Sequence, residues 1–193
     1  LPVRWLRIAS NVNDILPRTL KTGIYEVRDV HATASPSMDI QISSNFERLL
    51  FEAGNRDAAS VRRLMDSLKQ SGRFVLPDAM LAAIREEFDA GRADETETAA
   101  AIRAAWREAG DLVDPHTAVA LAVADRDTTD SSIPNIVLST AHPAKFPDAV
   151  EAACGARPQL PAYLGSLMSK PEKITPMPND RAELERFIRS ASR

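Results

Sequence analysis

Val3-Arg4-Trp5-Leu6-Arg7-Ile8-Ala9-Ser10-Asn11-Val12-Asn13-Asp14 decides the fold class of this chain. The first half reads as a strand. The second half is a cluster of Ser, Asn and Asp, short polar side chains that bond their own backbone and so favour turns and helix caps. A helix over residues 14–20 is expected next, and Thr22-Gly23 punctuates its end in the way glycine usually does. Strand, polar turn and helix in this order make the unit of an α/β sheet, in which ligands bind beyond the carboxyl ends of strands. Residues 25–40, which contain Ser35-Pro36-Ser37, read as a short strand followed by a loop.

Ser44-Asn45-Phe46-Glu47 has capping-box spacing, and Phe46, Leu49, Leu50 and Ala53 then recur along one helical face. Val61, Leu64 and Leu68 mark a second amphipathic helix ending at Gly72. Leu81, Ile84 and Phe88 mark a third before Gly91, and Ile102, Trp106 and Ala109 a fourth before Gly110. No strand is evident between these four, so the run is expected to be a helical insertion beside the sheet. Alternation resumes with Asp114-Pro115-His116-Thr117, an alanine-rich helix over residues 118–124, and Asn135-Ile136-Val137-Leu138, read as a buried strand. Ser139-Thr140-Ala141-His142-Pro143 then turns, and Pro147 suits the first turn of a helix ending near Gly155. The proline-rich residues 157–178 are expected to run extended over the surface before a last helix, capped by Asp180 with Glu183 three residues on. The expected organisation is residues 1–45 in an α/β domain, 46–112 the helical insertion, 113–155 the return to the α/β domain, and 156–193 a carboxyl-terminal extension and helix.

With 193 residues, 44% of them apolar, the chain is long enough to bury a core. Its 24 basic and 27 acidic residues are spread along the sequence, so no basic field for nucleic acid is present. No apolar run approaches the roughly 18–20 residues that cross a bilayer. A cytoplasmic protein with neither nucleic acid nor membrane as partner is the expectation. Cys154 is the single cysteine, which rules out an internal disulfide and a cysteine-based zinc cluster; before Gly155 at a helix end it reads as a packing residue. Because Leu1 is not a start methionine and a strand is already under way at Val3, the chain is expected to be a piece of a longer protein.

Three places invite chemistry. Thr140 and His142 follow an expected strand end, where a hydroxyl can face a heterocyclic nitrogen or can merely cap the turn before Pro143. Asn11, with Asn13 and Asp14, also lies beyond a strand end and reads equally as ligand contact or helix cap. Ser37, Met38 and Asp39 lead to Ser43, Ser44 and Asn45 at a helix start, where free amides favour an anion and Arg48 could add charge. Asp114 and His116 with Ser37 or Ser139 suggest a hydrolase triad, but the Gly-x-Ser-x-Gly elbow is absent. His31, His116 and His142 lack metal-type spacing, and Lys145 reads as a surface lysine.

These segments resemble the threonine synthases of the long-chain group found in bacteria and fungi. The resemblance rests on Ala9-Ser10-Asn11-Val12-Asn13-Asp14, on Ser35-Pro36-Ser37-Met38-Asp39-Ile40 with Ser43-Ser44-Asn45-Phe46-Glu47-Arg48, on Asp114-Pro115-His116-Thr117-Ala118, and on Ser139-Thr140-Ala141-His142-Pro143-Ala144-Lys145-Phe146. It implies the carboxyl-terminal part of a fold-type-II pyridoxal 5'-phosphate (PLP) enzyme, with an incomplete, mostly parallel sheet and flanking helices. The implied reaction is O-phospho-L-homoserine and water to L-threonine and phosphate, with the cofactor ring as electron sink. Thr140 would meet the ring nitrogen, Ser139, Ala141 and Asn11 would shape the cofactor pocket, and Ser37, Asp39, Ser43, Asn45 and Arg48 would lie toward the substrate. The resemblance places the Schiff-base lysine and the loop that cradles the cofactor phosphate upstream of Leu1, in an amino-terminal part of the same protein. The chain alone is then expected to be inactive. Another fold-type-II PLP enzyme, acting by β-replacement or as a dehydratase, and a non-enzymatic helical docking module are the competing readings.

Overall fold

Strand β1 (Leu6–Ser10) pairs in parallel with β4 (Phe88–Arg92), in a register that sets Leu6 opposite Phe88 and Ser10 opposite Arg92. Parallel neighbours need a long crossover. Here it comprises α1 (Ile15–Thr22), β2 (Ile24–Glu26), α2 (Phe46–Ala53), α3 (Ala58–Ser71), β3 (Arg73–Val75) and α4 (Asp78–Glu87). The short strands β2 and β3 form an antiparallel ribbon of their own. After β4 come α5 (Glu95–Ala104), which continues through a π turn to Ala109, then α6 (Pro115–Ala124) and α7 (Pro147–Cys154). The computed structural model describes residues 3–126 and 132–191. It divides into Leu1–Gln159 and Leu160–Arg193.

Local chemistry sets most helix ends. Asp57 accepts from the Ala59 N–H at 2.9 Å to start α3. Asp94 and Glu97 form a reciprocal capping box on α5, each side chain bonding the other's backbone N–H at 2.9 Å. Gly23 ends α1 with φ at 75°, a left-handed conformation that would strain a residue with a Cβ. Arg85 reaches from α4 to the same helix end, donating to the carbonyls of Leu20 at 2.7 Å and Lys21 at 2.9 Å. It thereby satisfies acceptors that a helix terminus leaves open.

The main core packs Ile15, Tyr25, Phe46, Leu50, Phe74, Leu76, Met80 and Ile84. Tyr25 lies between two rings, 5.5 Å from Phe46 and 4.7 Å from Phe74, both nearly coplanar with it. Smaller clusters set α5, α6 and α7 together through Ile102, Ala118, Val150 and Ala153, and set α6 against the sheet through Ala93, Val119 and Val123.

Four expectations are corrected. The strandless run over residues 46–112 contains β3 and β4, and β4 belongs to the parallel pair. Phe88-Asp89-Ala90-Gly91-Arg92 holds poor strand formers, so its conformation comes from the ladder with β1 and not from propensity. The Ser44 capping box does not form: α2 begins at Phe46, the residue at its cap is Asn45, and no side chain caps it. Residues 135–138 are irregular, with Ile136 81% and Leu138 73% exposed; among the described residues no strand pairs with them, and a strand without a ladder is not held. Val3, Arg4 and Trp5 precede β1, which starts at Leu6.

The second unit runs extended through single 3-10 turns at Ala162–Leu164 and Leu167–Ser169 to α8 (Arg181–Ala191). Asp180 caps α8 by accepting from the Glu183 N–H at 2.9 Å, while its own N–H donates to the Pro178 carbonyl at 2.8 Å.

Candidate functional site

The carboxyl end of β1 passes directly into Asn11, which is completely buried. Its amide nitrogen donates to Thr33 Oγ1 at 2.8 Å, Ser35 Oγ at 3.0 Å and Asp39 Oδ1 at 2.8 Å. Its oxygen accepts from the backbone N–H and the side-chain amide of Asn13, at 2.9 and 3.0 Å. Asn13 in turn brackets His31, donating to its carbonyl at 2.9 Å and accepting its N–H at 2.8 Å. Asp39 closes the network by accepting from the Thr33 hydroxyl at 2.7 Å and the Thr33 N–H at 2.9 Å. Asn11 and Asp39 therefore spend their hydrogen-bonding capacity on folding residues 31–39 against the end of β1.

His116 supports the loop from the other side. Asp114 caps α6, accepting from the His116 N–H at 2.9 Å and from the Thr117 hydroxyl. The same carboxylate lies 2.7 Å from His116 Nδ1. His116 Nε2 accepts the backbone N–H of Ser37 at 3.1 Å. Because Nε2 must offer a lone pair there, the ring's proton sits on Nδ1, toward Asp114. The hydrolase suggestion fails on this geometry: Ser37 meets the histidine through its backbone N–H, so its hydroxyl is not the group that His116 would activate. The Phe146 ring packs against the imidazole, tilted 54° to it with 4.7 Å between centroids.

Phe146 ends the segment that carries Ser139, Thr140 and Ala141. Ser139 and Thr140 are exposed, Ala141 is half-buried, and Thr140 makes no hydrogen bond among the described residues. His142 Nδ1 accepts the Ala144 N–H at 3.1 Å and starts a single 3-10 turn at Pro143–Lys145. His116 thus touches one segment from each expected side of the site: the Ser37 turn directly, and the Thr140 segment through Phe146.

The remaining expected substrate contacts lie on α2 and its approach. Ser43 is half-buried under Tyr25, and Asn45 and Arg48 are exposed, the guanidinium donating to Asn45 Oδ1 at 3.3 Å. Arg48 borders a groove with Glu47 and Glu52, so acidic groups flank its charge. Burial pushes the Tyr25 phenol above its ordinary value, opposed by the Ser43 N–H and aided by the Glu47 charge. Asp14 lies elsewhere, paired with Arg18 at 2.9 Å, at a cleft of about 960 Å³ between α1 and β4 that none of the expected cofactor or substrate contacts lines.

Two features bear on a cofactor. Lys21, Lys69, Lys145, Lys170 and Lys173 are all exposed. No three His, Cys, Asp or Glu side chains among the described residues could hold a metal. The exposed, unbonded Thr140 hydroxyl is the kind of neutral group that fits a pyridine nitrogen. Sequence reasoning singled out Asn11 and Thr140 but missed Thr33 and Phe146, which have no local signature and matter only through contacts made from distant parts of the chain.

Comparison with known proteins bears on this geometry. Residues 117–188 match the family model described as threonine synthase, C-terminal. The chain is 41% identical over 189 residues to the threonine synthase of Pseudomonas aeruginosa, covering 97% of this chain and 40% of that protein. The crystal structure of PLP-bound threonine synthase from Brucella melitensis superposes on the whole chain with a TM-score of 0.87 at 56% identity, covering 41% of that chain. Yeast threonine synthase does so with a TM-score of 0.82 at 36% identity, with 42% of its chain covered. The chain thus spans about 40% of the length of the relatives it matches.

Proposed function

We propose, from the premise that this chain is part of a threonine synthase, that it forms one wall of an active site converting O-phospho-L-homoserine and water to L-threonine and phosphate. The observation that carries the reading is the exposed Ser139-Thr140 pair, which precedes the Phe146 that packs on His116 and bears a Thr140 hydroxyl with no protein partner among the described residues. When bound, PLP supplies the electron sink that lets protons leave carbon beside the amine. Thr140 meets the ring nitrogen as a neutral partner, and Ser139 and Ala141 border the ring. Ser37, Ser43 and Asn45 line the substrate side, and Arg48 offers a planar fork that suits a phosphate. Asn11 and Asp39 act from behind, shaping the loop that presents Ser37.

The exposure of all five lysines supports a further element of the reading: the Schiff-base lysine comes from another part of the same enzyme. A cytoplasmic location fits an amino-acid biosynthetic enzyme; no helix among the described residues is long and apolar enough to cross a membrane.

The experiment is Thr140→Val in the full-length enzyme. The variant should retain folding and shift the absorption band of bound PLP while lowering kcat by about 10- to 100-fold; an unchanged band and rate would remove Thr140 from the ring. The 193-residue chain alone should form no threonine from phosphohomoserine, and turnover by it would sink the assignment of the lysine to another part of the enzyme.

A further inference from the structure

We propose that His116 is a positioning residue that latches the two sides of the site together, a role that rests on the reading of Ser37 and Thr140 as its two walls. Four observations meet at this one side chain. It is 4% exposed, so its ring contacts are made within the protein. Its Nδ1 lies 2.7 Å from Asp114 Oδ1, and a proton on Nδ1 leaves Nε2 as an acceptor. That acceptor takes the Ser37 N–H at 3.1 Å, across a sequence separation of 79 residues. Phe146, at the end of the Thr140 segment, packs on the ring at 4.7 Å.

The turn that His116 holds is a weak structure by itself. Pro36–Met38 is a single 3-10 turn with no side-chain cap, and Ser37 and Pro36 are exposed. One turn of this type holds few hydrogen bonds of its own, so its position depends on anchors. The Asn11 and Asp39 network anchors it at Ser35 and Thr33, and His116 anchors it at Ser37. Among the described residues the Thr140 segment has no ladder and Thr140 no hydrogen bond, while the Phe146 ring at the end of that segment is fixed against His116. Movement of the imidazole would shift both walls. A histidine suits the role because its two nitrogens differ: one is committed to Asp114, which orients the ring and sets the tautomer, and the other is then compelled to accept. His116 itself does not need to touch substrate.

The test uses the full-length PLP-loaded enzyme with His116→Phe and His116→Gln. Phenylalanine keeps a ring against Phe146 but offers nothing to Ser37; glutamine loses the ring but places an amide oxygen near the acceptor position. With His116→Phe, KM for O-phosphohomoserine should rise by about tenfold with kcat changed less, the absorption of bound PLP should be retained, and backbone hydrogen exchange should accelerate in a peptide spanning residues 35–40. His116→Gln should recover most of the KM and of the exchange protection. Wild-type KM and exchange in a folded His116→Phe enzyme would overturn the proposal, and equal losses in both variants would do the same by assigning the effect to packing. If neither variant folds, nitrogen-15 spectra of the unaltered enzyme at pH 8 decide: a proton on Nδ1 supports the latch and a proton on Nε2 overturns it. An unaltered enzyme that binds no PLP would instead refute the reading of the site, while the exchange comparison would still judge the latch.

Discussion

Gly91 on β4 faces Val123 on α6 so closely that a Cβ at residue 91 would stand 2.6 Å from the valine Cγ1. Val123 is 4% exposed and α6 is held by its packing on the sheet, so the valine has little room to retreat. This contact sets how near α6, and with it Asp114 and His116, lies to the parallel strands. Gly91→Ala should destabilise by about 1–3 kcal/mol, the usual cost of overpacking. Adding Val123→Ala should make the second substitution cheaper than it is alone, measured as a urea double-mutant cycle; strict additivity would show that the two positions do not collide.

Tyr25 combines two ring stacks with a hydroxyl that accepts the Ser43 N–H. Tyr25→Phe keeps the stacks and leaves that N–H without its acceptor, so we expect a loss of roughly 1–2 kcal/mol in chemical denaturation and faster hydrogen exchange at Ser43.

The same residue sets an alkaline response. The folded state holds the Tyr25 phenol above its ordinary value, chiefly by burial, so the protonated form is favoured in the fold. That contribution is complete below pH about 10 and is lost as pH rises through the folded value. Between pH 9 and 11 the urea midpoint should therefore fall more for the native chain than for Tyr25→Phe. Parallel decline in the two would remove Tyr25 as the source.

Asn11→Ala orphans several buried partners at once and should cost more than the roughly 1–3 kcal/mol of one unsatisfied buried group. Asn11→Asp is more informative, because it sets a second carboxylate against Asp39, which the native amide approaches at 2.8 Å. Two adjacent carboxylates raise the pKa of one of them, so that variant should regain part of its lost stability as pH falls toward about 5. A melting temperature that drops with pH as steeply as that of Asn11→Ala would contradict this.

Asp94→Ala removes half of the capping box on α5 and should cost about 1 kcal/mol, with Glu97→Ala on top of it adding less than it does alone. Circular dichroism during urea unfolding gives both numbers.

Legibility in this chain follows the range of the interaction. The end of α1 at Gly23 and the start of α8 at Asp180 are decided within about four residues, by backbone freedom in one case and a side-chain cap in the other, and both were readable in the residues themselves. The apolar faces of α2, α3 and α4 were readable for the same reason, since helical periodicity is local. The segments on which the resemblance to threonine synthases rests, and through it the chemistry expected at Thr140, were also present in the residues alone.

Tertiary structure alone decided three things. Residues 88–92 became a strand because β1 offered a ladder, against their own propensities, while residues 135–138 look more like a strand and have no ladder among the described residues. Asn11 became the hub of a buried network because Thr33, Ser35 and Asp39 fold back onto it. His116 acquired its acceptor role only when a turn 79 residues earlier presented the Ser37 N–H. In each case the deciding hydrogen bond joins atoms far apart in the chain, and a one-dimensional pattern carries no record of which distant group will arrive.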